Sequence, residues 1–206
     1  MADKESRKGK ITAKRREQIL QAGMEVFSRK GFAAATIPEI ANAAGVAAGT
    51  IYLYYPSKRE LFIAVIKNFI ITTPLLDLIG RLPTENPRTV LKNIIKDRFA
   101  LIKNEAVTRM PSLIGEVLRD AELKELWRQQ FLKPFLGRIE TGYRMMAASG
   151  KVRRMEPVVA VRAVGGMFLG FLILRVMEGE SSPLNQLPES KVADNIAGFI
   201  MHGMLA

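Results

Sequence analysis

The groups with the most chemistry to offer are cations crowded at one end of the chain. Residues 1–30 hold nine Lys and Arg (Lys4, Arg7, Lys8, Lys10, Lys14, Arg15, Arg16, Arg29, Lys30) against four acids (Asp3, Glu5, Glu17, Glu25). Such a basic arm suits a polyanion, because neutralising phosphates releases their counterions and drives association. Groups suited to catalysis are scarce. His202 is the single histidine and falls in the last apolar segment, where packing is the plainer role. With no cysteine, disulfides, thiolate metal sites and Cys nucleophiles are excluded. Nucleophile motifs, metal-spaced clusters and phosphate loops are not visible, and pairs such as Asp120/Glu122 read as helix-surface charge. No catalytic residue, metal or cofactor is expected.

Composition sets the frame for these residues. The chain has 206 residues, 48% hydrophobic and 25% charged, with a net charge of +11. That is enough to bury a core and is ordinary for a soluble globular protein. The first residues lack the apolar stretch of a signal peptide, and the absence of cysteine fits a reducing compartment, so a cytoplasmic location is expected. The longest apolar run, Ala163 to Leu174, has twelve residues between Arg162 and Arg175. Crossing a bilayer takes roughly 20, so the run predicts a buried helix and no membrane partner.

Helical periodicity runs through the whole sequence, and no segment alternates with period two over a useful length. Ile19, Ala22, Val26 and Phe27 share one face of a helix over about 12–29, which Gly31 stops. Thr36-Ile37-Pro38-Glu39 is a capping box with a tolerated first-turn proline. Ile40, Ala41 and Ala44 form the inner face of a short helix, and Gly45 ends it with positive φ. A second short helix follows over about 48–55. Ser57 and Glu60 then cap a longer helix over about 57–72 that carries Leu61, Phe62, Val65, Ile66, Phe69 and Ile70. Further helices are predicted at about 88–107, 111–119, 121–148, 156–178 and 189–205, punctuated by Gly150, Pro157, Ser181-Ser182-Pro183 and Pro188.

Two short helices joined by a tight glycine turn make a helix-turn-helix. Small Ala41 and Ala44 let the helices cross closely, and Val46 and Ile51 plug the gap between them. The second helix then presents Ala47, Ala48, Gly49, Thr50, Leu53 and Tyr54 outward, as a major groove would require.

Here the sequence resembles the TetR/AcrR family of bacterial regulators. The resemblance rests on Ile19-Leu20 to Phe27, Gly31-Phe32, Thr36, Ile40-Ala41, Ala44-Gly45-Val46, Gly49-Thr50-Ile51-Tyr52, Tyr54-Tyr55, Ser57-Lys58 and Leu61. Residues 63–206 match only in length and helical content. The resemblance implies an all-α fold. An N-terminal three-helix helix-turn-helix DNA-binding domain (residues 1–56) would precede a larger C-terminal helical ligand-binding and dimerisation domain (57–206), with helix 57–72 connecting the two. It implies that Thr36, Tyr52 and Lys58 grip phosphates and that Ala48, Gly49, Thr50, Leu53 and Tyr54 form the recognition face. Ala47 and the basic arm at Lys10 complete the expected DNA contacts. Ala47 replaces a commoner Ser or Thr, and Tyr55 stands where Phe is commoner. With few base-reading side chains on that face, specificity is expected to lean on Thr50, Tyr54, thymine methyls and DNA shape.

The same resemblance implies a homodimer on a palindromic double-stranded operator, released by a small hydrophobic or amphipathic ligand. Phe69, Phe99, Ile102, Met110, Leu113, Trp127, Phe131, Tyr143, Met167 and Phe171 are the pocket candidates. Gly166 and Gly170 fall on one helix face, and three glycines in six residues imply close helix approach or room for a ligand. With Leu174, Ile196, Phe199 and Ile200 they are the expected dimer contacts.

Overall fold

The computed structural model describes residues 2–70, 73–101 and 110–204. These are mainly helical, with no strand among them. In chain order they form α1 (Ala2–Ala34), α2 (Ile37–Ala43), α3 (Ala48–Tyr54), α4 (Lys58–Ile70), α5 (Thr73–Arg81), α6 (Pro87–Leu101), α7 (Met110–Arg119) and α8 (Ala121–Trp127). A π-helical turn (Arg128–Leu132) leads to α9 (Lys133–Ala148), α10 (Pro157–Glu178) and α11 (Glu189–Met204), with short 3-10 turns between the last two. The π turn precedes Pro134, which has no N–H to continue an α-helical ladder, so the helix widens there. The first helix begins at Ala2 rather than near residue 12, and Gly31, at φ 76°, breaks it three residues before its end.

Packing divides the chain into two units, Met1–Ile70 with Arg109–Phe131, and Ile71–Thr108 with Leu132–Ala206. In the first, Ile19, Val26 and Phe27 from α1, Ile40 from α2, Ile51 from α3 and Leu61 and Phe62 from α4 are all but fully buried. The Phe27 and Phe62 rings meet edge to face at 4.9 Å, and Phe32 closes the cluster 5.0 Å from Phe62, arrangements that aromatic quadrupoles favour. At Gly23 a Cβ would lie 2.8 Å from Cγ2 of Val65, so a bare backbone is what lets α1 approach α4. Helices α7 and α8 pack on α1 and α4 in this same unit. The division expected at residue 56 does not coincide with these packing units.

In the second unit, α6 packs on α11 around Ile95, Val192, Ala193, Ile196, Ala197 and Ile200. Helices α9 and α10 join around Tyr143, Met146, Val152, Ala160 and Val161. The loop ends are tied by polar bonds: the Lys151 ammonium donates to the Pro83 carbonyl at 2.7 Å, and the Tyr143 hydroxyl to the Arg153 carbonyl at 2.6 Å.

Helix α10 departs from expectation. The apolar pattern continues past Arg162 and Arg175, so residues 157–181 are long and apolar enough to cross a membrane by length and composition, yet only 12% of that window is buried within the chain. From Ala163 to Leu174 the helix carries no polar side chain. Leu169, Ile173, Leu174 and Met177 stand exposed along it.

Candidate nucleic-acid interface

Each turn of the helix-turn-helix is fixed by a local device. At the start of α2 the Glu39 N–H donates to the Thr36 hydroxyl oxygen at 3.4 Å, and the Thr36 N–H donates to the Glu39 carboxylate at 3.1 Å. Lys30 of α1 pairs with the same carboxylate and so ties α1 to the cap. The Lys30 ammonium, and then Thr36, hold the Glu39 carboxyl down at about 2. After α2, Gly45 turns the chain at φ 65°, where a side chain would be strained. Its neighbour Val46 donates its N–H to Ala41. Ile51, completely buried, is the one buried residue of α3 and anchors it from beneath.

This anchoring leaves the opposite face of α3 free of the protein. Leu53 is 84% exposed and Tyr52 is 52% exposed. Ala47 and Gly49 are exposed, and Ala48, Thr50 and Tyr54 are half-buried. No neighbour comes within 4 Å of a Cβ built on Gly49, so nothing overhangs the surface there. Thr36 is exposed beside it. The structure thus brings the expected recognition residues onto one accessible surface. Tyr55 turns the other way: its ring is buried with the Arg16 guanidinium 5.9 Å from its centre, and burial pushes its phenol above the usual range.

Lys58 has a role that its sequence position does not reveal. Its ammonium donates to the carbonyls of Ala35 at 2.9 Å and Ala33 at 3.2 Å, and lies 4.6 Å from the centre of the Phe32 ring. The first turn of α4 is thereby stapled to the end of α1. The next residue, Arg59, lies 3.1 Å from Glu122 and 3.6 Å from Asp120. Asp120 also caps α8, accepting from the Glu122 and Leu123 N–H groups at 2.9 Å each. These hydrogen bonds, the Leu123 N–H first, together with Arg59 lower the Asp120 pKa. Neither tether was legible in the sequence, because the partners lie 23 and more residues away along the chain.

The other expected residues are scattered. Ile102 lies outside the described residues, as do the side chains of Lys10, Phe99 and Met110. Of the pocket candidates, Phe69, Leu113, Trp127 and Phe131 belong to the first unit, where the Trp127 and Phe131 rings meet at 4.1 Å. In the second unit, Met167 and Phe171 pack against the α6–α11 core, and Tyr143 sits in the other cluster. An open depression of about 420 Å³ in this unit is lined by residues 84–88, Lys151 and Met201, and by none of the pocket candidates.

Among the expected dimer contacts, Gly166, Gly170, Leu174 and Phe199 face open space, and Phe199 is 72% exposed. Ile196 and Ile200 do not. They are buried in their own chain's core, because the 192–193–196–197–200 face of α11 turns toward α6 and Phe199 projects from the other side. Among the described residues the glycines of α10 serve no close approach, since none lies within 4 Å of a Cβ on any of the three. Among the described residues no group of three or more His, Cys, Asp and Glu could hold a metal ion.

Fold and site together define an all-α protein with an N-terminal helix-turn-helix. Residues 19–65 match the family model described as bacterial regulatory proteins, tetR family. The match runs from α1 into α4, and the relatives and solved structures that this chain resembles include transcriptional regulators of that family. It is 42% identical over 93 residues to YvdT, an uncharacterized HTH-type transcriptional regulator of Bacillus subtilis. That alignment covers 45% of this chain and 47% of the relative, so it spans less than half of YvdT. A longer alignment, 29% identical and covering 79% of each chain, joins it to the nucleoid occlusion factor SlmA of Glaesserella parasuis. Among solved structures, the transcriptional regulator FadR of Bacillus subtilis in complex with stearoyl-CoA is similar in fold. Its TM-score is 0.66 at 21% identity, covering 91% of this chain and 98% of that one.

Proposed function

We propose that this chain is a sequence-specific DNA-binding transcriptional regulator that works as a homodimer. In this reading it represses from a palindromic operator and is released by a small hydrophobic or amphipathic effector. The observation that carries the reading is the face of α3: Leu53 and Tyr52 exposed on a helix whose buried side is pinned by Ile51, in a chain whose first 30 residues carry nine Lys and Arg against four acids. Residues 1–56 contact DNA, with Tyr52 donating to phosphate and Thr36, whose N–H and hydroxyl both donate to Glu39, holding the cap; residues 57–206 carry the effector and the dimer contacts. Function of this kind is exercised in the cytoplasm and involves no catalysis.

The exposed face of α10 supports a second copy of the chain rather than lipid. Arg162 on that helix pairs with Glu140 at 2.7 Å, and Arg175 is buried. Ionisable side chains of this kind are costly at the depth of a bilayer. Dimers in turn favour inverted-repeat operators, since protein symmetry is mirrored in the site. For the effector, the stearoyl-CoA held by the FadR neighbour supports an amphipathic, anionic molecule.

Helix α4 is the physical link in this reading, running from Lys58 and Arg59 at the helix-turn-helix to Phe69. An effector that favours one setting of α4 weakens operator binding by its differential affinity, and the operator weakens effector binding equally. Selection from random duplexes tests the proposal. An inverted repeat is the expected product, and recovery of single-stranded or non-palindromic sequences overturns it. A second reading, favoured by the longer SlmA alignment, is nucleoid occlusion. Chromosome-wide crosslinking separates the two: a regulator occupies a few promoters, whereas an occlusion factor occupies sites spread over the chromosome.

A further inference from the structure

The recognition face carries a chemical restriction that goes past an affinity for duplex DNA. Residues 43–57 contain no Lys, Arg, Asn, Gln, Asp, Glu or His. Those are the side chains that bond bidentately to guanine or adenine, or accept from cytosine. The two cations that flank the motif in sequence are already engaged. Lys58 donates to Ala33 and Ala35, and Lys30 pairs with Glu39. What α3 offers a groove is the Leu53 side chain, almost wholly exposed, with the hydroxyls of Thr50 and Tyr54 beside it.

In the major groove the apolar group available to such a side chain is the C5 methyl of thymine. Against a guanine or cytosine edge, Leu53 would strip water from polar atoms and return no hydrogen bond. Against a thymine methyl, both partners lose apolar area to water. Attraction to one base and a penalty at the others is how a side chain without donors discriminates. We propose that Leu53 is a specificity-determining residue, and that each half-site is read through thymine methyl groups lying under α3. This rests on the DNA-binding reading above and names the feature of the operator that is recognised.

Deoxyuridine provides the test, since it pairs as thymine does and lacks only the methyl. Duplexes recovered by selection are resynthesised with single thymines replaced, and affinity is measured by anisotropy with the intact chain. Removing a contacted methyl should weaken binding about fourfold in one half-site and about fifteenfold when both half-sites change, from the transfer free energy of one carbon group. Leu53→Ala should weaken binding to the thymine duplex and erase the difference between thymine and deoxyuridine. Its site is open to solvent, so the fold tolerates the change, which circular dichroism checks. Equal affinities at every replaced position overturn the proposal, as do selected sites with invariant G·C pairs under α3, while DNA binding itself stands. Binding to no duplex overturns both this inference and the reading beneath it.

Discussion

Helices α3 and α10 both expose large apolar side chains, and they are built differently. Helix α3 is seven residues long, pinned by Ile51, and framed by the Thr36 capping box, the Gly45 turn and the Lys58 staple. Its exposed face is narrow, and the cations on either side of the motif, Lys30 and Lys58, are tied to the protein. Helix α10 is 22 residues long, carries no polar side chain from Ala163 to Leu174, and exposes Leu169, Ile173, Leu174 and Met177. The first surface is a small rigid tool presented by a dedicated scaffold. The second is a broad sheet of hydrocarbon that a partner of similar extent must cover. The contrast teaches that exposure alone does not name a partner; the scaffolding around the exposed side chains does.

The largest effect should come from breaking α11 on its inner face. Ile196→Glu buries a charge among Ile95, Val192 and Ile200, at a cost of several kcal/mol. Loss of the cooperative thermal transition is expected by circular dichroism. Phe199→Glu, one turn away on the exposed side, should change folding stability by only about 0.5 kcal/mol. By sedimentation it should be a folded monomer where the parent is a dimer. A Phe199→Glu protein that remains fully dimeric would remove this face from the interface.

Next comes the staple. Lys58→Met removes two charge-assisted hydrogen bonds and a ring contact. A loss of about 1–3 kcal/mol is expected, and DNA binding should weaken for all sequences. The salt dependence of binding decides its role. An unchanged slope fits a residue that positions the motif, whereas a slope reduced by about one fits a phosphate contact. Gly45→Ala should cost about 1–2 kcal/mol through backbone strain alone, because nothing lies within 4 Å of the new Cβ. Denaturant melts with an unchanged slope would show this.

The smallest effect is electrostatic. Lys30 and Thr36 hold the Glu39 carboxyl at about 2 in the folded chain, well under its unfolded value near 4.3. A depressed carboxylate stabilises the fold above the unfolded value, and that contribution fades as pH falls from about 4.5 toward 2. Stability measured over this window should fall less steeply in Glu39→Gln than in the parent. Parallel curves would mean that the α1–α2 tether contributes nothing.

What the sequence made legible tracks how local the physics is. Thr36 with Glu39, and Gly45 between two short helices, each announce their geometry within a few residues, and the structure shows the cap and the positive φ. Ile51 as the plug of the motif was legible for the same reason. The staple from Lys58 to Ala33 and Ala35 was not, nor was the packing of α7 and α8 against α1 and α4, since both depend on distant segments. The apolar stripe of α11 was visible, but periodicity does not say which partner a stripe meets, and Ile196 and Ile200 turned inward. The run in α10 was read as buried because hydropathy records the preference of a surface and not its neighbour.

The central claim is that the face of α3 reads a duplex. Anisotropy titrations of the intact chain, at one fixed salt concentration, against the selected inverted repeat and a scrambled duplex of equal composition test it most directly. The expected result is affinity for the repeat at least about a thousandfold tighter than for the scrambled duplex. Equal affinities for the two would contradict the account.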